Sequence, residues 1–228
     1  MTIRLQRDIE GLKRLAIELG TLVEERFRLA MKAVESRDDR AARKVIEGDI
    51  EIDQFEVDVE EACLKVLALH QPVADQLRYI VSVLKMNNDL ERIGDLSVNI
   101  AQHAKFLAAN RSLHISLDYF RMSHKVDEML KNSLDSLVNT DVELAYQVCA
   151  ADDEVDRMKH AMQAEFAERL RSNQDEMEPL IDLFLISRHL ERIADHATNI
   201  AEDVIYIITG EIHRHRGRKF GKGRREKV

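Results

Sequence analysis

The chain has 228 residues, of which 45% are hydrophobic, so it is long and apolar enough to bury a sizeable core. Its 8 glycines, 2 prolines and 5% aromatic residues are too few for a turn-rich β fold, and the formal net charge of −8 argues against a nucleic-acid-binding protein. Composition therefore predicts an all-helical, acidic protein.

The segment from Met1 to Gly20 mixes charged with apolar residues, which is not the pattern of a secretory signal peptide. The sequence also contains no run of about eighteen uncharged apolar residues that would span a membrane. We therefore expect a cytoplasmic protein.

Apolar residues recur at helical spacing from Ile3 to Glu35 and predict one long amphipathic helix. The Arg37-Asp38-Asp39 segment interrupts this pattern, and its middle residue is suited to cap the next helix. That second helix is predicted to run from about Arg40 to His70. A third then begins at Pro72, where the missing N–H costs nothing in a first turn, and continues to about Ala108.

After the polar segment Asn110 to Ser116 the pattern starts again, with a fourth helix that ends at Asn139-Thr140-Asp141. A fifth helix is predicted over about Val142 to Arg171. The sixth begins near Pro179 and ends at Thr209, where Gly210 closes it. The two prolines of the chain thus mark the same connection in each half.

One sequence motif occurs in both halves. Leu90-Glu91-Arg92-Ile93-Gly94-Asp95-Leu96-Ser97-Val98-Asn99-Ile100-Ala101 recurs as Leu190-Glu191-Arg192-Ile193-Ala194-Asp195-His196-Ala197-Thr198-Asn199-Ile200-Ala201. Together with the matching helix order, this indicates tandem duplication. We predict an all-α fold of two tandem antiparallel three-helix bundles with six long helices, one bundle over residues 1–110 and the other over 111–212. Residues 213–228 form a basic C-terminal tail, with eight Lys or Arg residues against Glu226.

Each half contains two pairs of carboxylates spaced four residues apart, so that both members of a pair lie on one helix face. Like charges at this spacing repel each other by about 0.2 to 0.5 kcal/mol unless a positive charge lies near them. In an antiparallel bundle the two pairs of a half can meet across a groove and supply oxygen ligands to divalent or trivalent cations. The eight predicted ligands are Asp49, Asp53, Glu91, Asp95, Asp152, Asp156, Glu191 and Asp195.

Other interpretations of these acidic rows remain open at the level of sequence. The carboxylates can be solvated or paired with basic neighbours, and Arg92 and Arg192 either neutralise them or dock a partner. Asn99 or Asn199 lies one turn further on, and His103, His160 and His196 are placed to complete a site or to remain ordinary surface histidines.

The sequence offers no evident catalytic machinery. It contains no Glu-x-x-His, Gly-rich phosphate loop, Gly-x-Ser-x-Gly or His-Glu-x-x-His motif. Cys63 and Cys149 lie in helical patterns and form no Cys-x-x-Cys motif, which favours buried, reduced thiols.

The paired Leu-Glu-Arg-Ile-(Gly/Ala)-Asp-x-x-x-Asn-Ile-Ala segments resemble those of the PhoU family of phosphate-specific transport accessory proteins. The Gln71-Pro72-Val73-Ala74-Asp75-Gln76-Leu77-Arg78 segment and the Asp49-x-x-x-Asp53 run are also similar, and the resemblance spans about residues 3 to 212. It implies two tandem three-helix bundles with metal clusters bound through Glu/Asp-x-x-x-Asp motifs, which map to the eight acidic residues named above. The metal is not identified by the sequence: Fe, Zn, Mn, Mg and Ca all accept oxygen ligands.

The resemblance also implies a function. The family acts as a negative regulator of the phosphate-starvation response, the Pho regulon. It links the ATPase of the phosphate ABC transporter (PstB-like) to a membrane sensor histidine kinase (PhoR-like). On this basis we expect a non-enzymatic adaptor near the membrane that binds no nucleic acid, while the formation of a homodimer is left open.

Two features depart from the family pattern. His189 occupies the position that corresponds to Asp89, which leaves open whether the two metal sites have the same ligands. The basic tail lies beyond the usual pattern and suits either an acidic partner or lipid, or a solubilising end. Two rival functions are a carboxylate-bridged metalloenzyme, such as a phosphohydrolase, and a metal-free helical scaffold.

Overall fold

The structure is a computed structural model that describes residues 3–109, 117–172 and 177–213; within these ranges it contains seven α-helices and no strand. The helices are α1 (Ile3–Ser36), α2 (Asp39–Glu47), α3 (Asp49–His70), α4 (Asp75–Ala109), α5 (Leu117–Asn139), α6 (Val142–Ser172) and α7 (Met177–Thr209). Helices α1 to α4 form the first bundle, with α2 and α3 as one interrupted arm, and α5 to α7 form the second. The predicted all-α fold of two three-helix bundles is confirmed.

The first turn in each bundle is built in the same way. Arg37 and Thr140 adopt left-handed backbone conformations with φ of 52° and 55°, which end α1 and α5. Asp38 then caps α2, because its Oδ1 accepts from the backbone N–H groups of Arg40 and Ala41, the second and third residues of the helix. Asp141 accepts from the N–H of Leu144 at 3.0 Å. The capping role predicted for Asp38 is confirmed, and it is duplicated.

The second arm is not the single helix predicted from Arg40 to His70. It is divided at Gly48, whose N–H donates to the Lys44 carbonyl and which separates α2 from α3. A Cβ at this position would lie 2.5 Å from the guanidinium carbon of Arg26, so a larger residue would have to displace the end of that side chain. Arg26 in turn pairs with Glu51 in the first turn of α3. The glycine thus allows Arg26 to lie against the break between the two helices.

The prediction that Pro72 opens the third helix was also wrong. Gln71 and Ala74 both have positive φ angles, 45° and 49°, so the backbone turns twice before α4 begins at Asp75. Pro72 therefore lies in the connection. Pro179, by contrast, lies in the first turn of α7, as its position near the helix start suggested.

The apolar stripe of the duplicated motif lies in the core of each bundle. Its members are at most 2% exposed: Leu90, Ile93, Ile100, Leu190, Ile193 and Ile200. Small residues beside them, among them Gly94 and Ala194, are also buried and let neighbouring helices approach closely. The 3.6-residue periodicity thus identified the buried face correctly.

The two bundles pack side by side through α4 and α7, which run antiparallel. Lys85 near the start of α4 contacts Asp203 near the end of α7, and His103 near the end of α4 contacts Asp182 near the start of α7. Arg28 of α1 also bridges to Asp127 of α5 at 2.9 Å. The bundles therefore share one extended interface.

Among the described helices, none is both long enough and apolar enough to cross a membrane. The predicted joint from Asn110 to Ser116 and most of the basic tail lie outside the described residues, as do residues 173–176. The boundaries 1–110, 111–212 and 213–228 stay a prediction.

Candidate cation sites on the two bundles

The first acidic cluster lies where the start of α3 faces the middle of α4. The bend at Gly48 places Asp49 and Asp53 in the first two turns of α3. Glu91 and Asp95 approach from α4, and Arg92 pairs with both of them, at 3.4 Å and 3.2 Å. Arg92 thus neutralises part of this acidity, which is one of the two roles that the sequence left open for it.

Burial and the charges of neighbouring carboxylates raise the pKa values of Asp49 and Glu91 in this cluster. Burial raises the pKa of Asp49, and the charges of Asp53 and Asp95 raise it further, while Arg26 lowers it. Burial also raises the pKa of Glu91, and Asp95 adds to that rise. The Oδ1 atom of Asp49 is buried and has no hydrogen-bond partner. An unsatisfied buried carboxylate oxygen is a group that a cation would stabilise.

The second cluster repeats this arrangement between α6 and α7. Burial is the main reason that the pKa of Asp152 rises from 3.8 to about 6, followed by the charges of Asp195 and Asp156. The pKa of Asp195 is raised as well, first by loss of hydration and then by Glu191 and Asp156, although part of its surface remains exposed. Each predicted quartet of acidic residues is therefore brought together.

A groove gives solvent access to Asp152, one member of the second cluster. Its volume is about 610 Å³, and its walls come from α4, α6 and α7. Asp152 lines it together with Asp89 and Glu202. An ion can thus reach Asp152 from solution without any opening of the bundle.

One pair of residues makes the two clusters unequal. Lys159 on α6 donates to Glu191 at 2.6 Å, while the corresponding residue of the first bundle is Glu56 on α3. Burial raises the pKa of Glu56, as do the charges of Glu60 and Asp53. The first cluster thus has an additional acid where the second has a built-in cation. Sequence reasoning missed both residues, although placing the two copies in register would have found them.

The donor chemistry of both clusters fits a hard cation, because every predicted ligand is a carboxylate oxygen. In this structure, however, the described side chains do not form a coordination sphere. Across residues 3–109, 117–172 and 177–213, no three His, Cys, Asp or Glu side chains are arranged to hold a metal ion. Asp53, Asp156 and Asp195 are exposed, so their side chains are free to rotate toward an ion.

The histidines serve other contacts. His196 donates from Nδ1 to Asp89 at 2.7 Å, and His160 donates to the carbonyl of Asp156 in its own helix. His103 pairs with Asp182 and stacks on His189 with ring centroids 5.6 Å apart. Burial lowers the pKa of His189 to about 4, so this ring is neutral at physiological pH.

Asp89 and His189 also have different roles, although they occupy corresponding positions. Asp89 accepts from both His196 and Asn199 across the bundle interface. Asn199 is thus directed to α4 and not to the carboxylates of its own helix. The difference between Asp89 and His189 therefore concerns the packing between the two bundles and not the acidic clusters.

The two thiols are structural, as predicted. Cys63 and Cys149 are free and buried, and burial raises the pKa of each to about 12. A thiol with such a pKa is neutral at pH 7 and is a poor nucleophile.

Comparison with known proteins gives a consistent family assignment. The PhoU domain model matches residues 16–104 and 120–204. The chain is 36% identical over 213 residues to "Phosphate-specific transport system accessory protein PhoU homolog 1" of Thermotoga maritima, covering 92% of this chain and 90% of that protein. It is 37% identical over 213 residues to the PhoU homolog of Aquifex aeolicus, covering 93% and 96% of the two chains.

Solved structures show the same architecture. The crystal structure of PhoU from Pseudomonas aeruginosa superposes with a TM-score of 0.88 at 32% identity, over 90% of this chain and 99% of that one. The phosphate transport system regulatory protein PhoU from Streptococcus pneumoniae gives a TM-score of 0.85 at 28% identity, over 91% and 98%.

Proposed function

Because this chain belongs to the PhoU family, we propose that it is a negative regulator of phosphate uptake and phosphate-starvation signalling. Its relatives are named accessory proteins of the phosphate-specific transport system, and a regulatory role in phosphate transport follows from that membership. In the cytoplasm it would act as an adaptor between the ATPase of the phosphate ABC transporter and a sensor histidine kinase. No catalytic step is part of this function.

The observation that supports a metal-binding adaptor is the acidic cluster at the same place in both bundles. Carboxylates that lose hydration beside other carboxylates destabilise the fold unless a positive charge compensates them. The raised pKa of Asp152, about 6, is a direct expression of this cost. The acidic cluster is repeated in both bundles, which favours a functional reason for keeping the acids.

In this proposal Asp49, Asp53, Glu91 and Asp95 hold a cation on the first bundle. On the second bundle Asp152, Asp156, Glu191 and Asp195 do so. A bound divalent or trivalent ion supplies positive charge and neutralises the carboxylates. The protein's own part is to fix α3 against α4, and α6 against α7, so that the outer helix of each bundle keeps one position for a partner to recognise.

The regulatory role is tested by deleting the gene in its host and following a phosphate-starvation reporter. The proposal predicts strong reporter expression in phosphate-rich medium and its repression when the wild-type gene is restored. Unchanged repression in the deletion strain would contradict the regulatory role.

The metal-binding part of the proposal is tested in the same strain. The variant Asp95→Asn/Asp195→Asn should repress poorly, whereas Asp58→Asn/Glu168→Gln, which changes two exposed acids on α3 and α6 that lie outside the predicted ligands, should repress normally. Equal repression by both variants would contradict a functional cation.

A metal-free scaffold is the second candidate, and one observation favours it. Arg92 and Lys159 already lie within ion-pair distance of the acidic clusters, so that basic side chains supply part of the compensation. Elemental analysis of the protein after mild purification separates the two functions: a retained stoichiometric metal supports the adaptor with cations, and its absence after growth in metal-replete medium supports the scaffold.

A further inference from the structure

The outer face of α3 presents a row of exposed aliphatic side chains. Ile50, Val57 and Leu64 are 75%, 43% and 53% exposed. Single exposed aliphatic residues are common on protein surfaces, but three of them in line along one face of one helix form an apolar row that a partner helix can cover.

Their spacing places them in one line. Seven residues correspond to about two turns and a rise of about 10.5 Å, so successive members lie above each other along the helix. The line drifts by only about 20° per seven residues, which is the drift that a second helix follows when it coils around the first. The residues that α3 buries, Ile52 and Val59 among them, lie on the far side.

The second bundle provides an internal comparison. At the corresponding exposed positions of α6 it has Asp153, His160 and Ala167. Both bundles form the same three-helix fold, and therefore the fold itself does not require aliphatic residues in this row. The row is a property of the first bundle alone and needs a reason outside the fold.

The charge of α3 determines what kind of partner fits. Seven acidic residues accompany a single lysine, Lys65, along the helix. Glu60 and Glu61 are exposed between Val57 and Leu64, one on each side of the row, and neither is a predicted cation ligand. A second copy of this chain docked through α3 would oppose acid to acid, which is repulsive. A helix with an aliphatic row and Lys or Arg at its edges complements both features.

The basic C-terminal tail has the right charge but not the right side chains. Residues 214–228 contain three glycines, and their bulky apolar residues are Phe220 and Val228. Such a segment does not provide an aliphatic row of matching length. The partner must therefore come from another protein.

We propose that the outer face of α3, defined by Ile50, Val57 and Leu64, docks a basic amphipathic helix of a partner protein. This inference deepens the adaptor role proposed above and rests on it. Asp49 and Asp53 lie on the same helix, so the cation proposed for the first cluster and the docked helix would both contact α3. The partner surface and the first acidic cluster are neighbours on one element.

The test uses the full chain and two synthetic helical peptides of about three heptads, each with Leu at the seam positions. One peptide has Lys at the flanking positions and the other has Glu. Fluorescence anisotropy measures their affinity for the wild type, for Val57→Ser/Leu64→Ser, and for the matched second-bundle variant His160→Ser/Ala167→Ser. Circular dichroism checks that all three proteins are folded, which is expected because the changed side chains are exposed.

We expect the Lys-flanked peptide to bind the wild type and the second-bundle variant equally, and to bind Val57→Ser/Leu64→Ser about tenfold or more weakly, since two aliphatic side chains leave the contact. Equal binding to all three proteins would overturn the proposal, because the affinity would then come from the general acidity of the protein and not from the aliphatic row. A wild-type dimer in light scattering that becomes a monomer in Val57→Ser/Leu64→Ser would also overturn it, because the occupant would then be a second copy.

The reporter strain described above separates this inference from the proposed function. Restored wild-type repression together with weak repression by Val57→Ser/Leu64→Ser supports the docking surface. Full repression by both proteins would leave the regulatory role intact and reject α3 as its docking surface.

Discussion

Ile52 on α3 packs directly over Gly94 on α4. A Cβ at Gly94 would lie 3.2 Å from both the Cδ1 and the Cγ2 atoms of Ile52, which is tighter than ordinary van der Waals contact. The corresponding pair in the second bundle is Val155 and Ala194. One copy thus combines the larger side chain with glycine, and the other combines the smaller side chain with alanine.

This exchange predicts coupling between the two positions. Gly94→Ala gains helix propensity of about 1 kcal/mol but crowds Ile52, so the single variant should be near neutral or slightly destabilised. Adding Ile52→Val should relieve the crowding, so that the double variant is about 1 kcal/mol more stable than the sum of the single changes. Urea unfolding of the wild type, the two single variants and the double variant measures this coupling energy, and strict additivity would contradict the packing.

Asp152 should make stability depend on pH in an unusual direction for an acid. Its pKa is about 6 in the folded protein against 3.8 as the ordinary value, so the folded state binds more protons between these limits. Its stabilising contribution is present below pH 4 and is lost as the pH rises through about 6.

Asp152→Asn should therefore stabilise the chelator-treated protein at pH 7 by about 1 to 2 kcal/mol, less than the full pKa shift implies because solvent screens a partly exposed group. Urea unfolding at pH 5 and pH 7 measures this effect. An exposed acid on the other bundle provides the control: Asp58→Asn should leave the pH dependence of the wild type unchanged. A pH profile that is the same for Asp152→Asn and the wild type would refute the assignment.

The duplicated caps give a third prediction. Asp38→Ala and Asp141→Ala should each destabilise the protein by about 1 kcal/mol, because each leaves helix N–H groups without their acceptor. Thermal unfolding checks this against Asp58→Ala, whose carboxylate lies in the exposed middle of α3 and is expected to have little effect. Equal stability of the cap variants and the wild type would show that solvent replaces the caps.

Lys159 and Glu56 should tune the two acidic clusters in opposite directions. Lys159→Gln removes the cation that pairs with Glu191, so the second cluster should bind Mn²⁺ about threefold or more tightly. Glu56→Gln removes an acid beside the first cluster and should weaken that site. Isothermal titration calorimetry measures both variants, and a change of the same sign in both would exclude a charge-controlled difference.

Much of the fold could be predicted from periodicity, because burial of Leu90, Ile93 and Ile100 follows directly from their spacing. The break at Gly48 could not, since one glycine is tolerated inside a helix and the Arg26 side chain that packs against it comes from α1, distant in the sequence. The position of Pro72 was missed for a similar reason: two left-handed residues around it decide where α4 begins.

The acidic quartets could be predicted because four-residue spacing fixes which side chains share a helix face. Their detailed geometry could not, because rotamers at a surface depend on neighbours from other helices. Lys159 reaches Glu191 from α6, and His196 reaches Asp89 across the bundle interface. The aliphatic row on α3 became visible only when burial separated the exposed from the core residues.

The acidic clusters are proposed to hold cations, and thermal unfolding of the protein with and without Mn²⁺ tests this most directly. At about 100 times the dissociation constant, bound Mn²⁺ should raise the melting temperature of the chelator-treated wild type by about 5 to 10 °C. The control Asp58→Asn/Glu168→Gln should show the same rise, and Asp95→Asn/Asp195→Asn should show little or none. An unchanged wild type, or an equal rise in all three proteins, would contradict the claim.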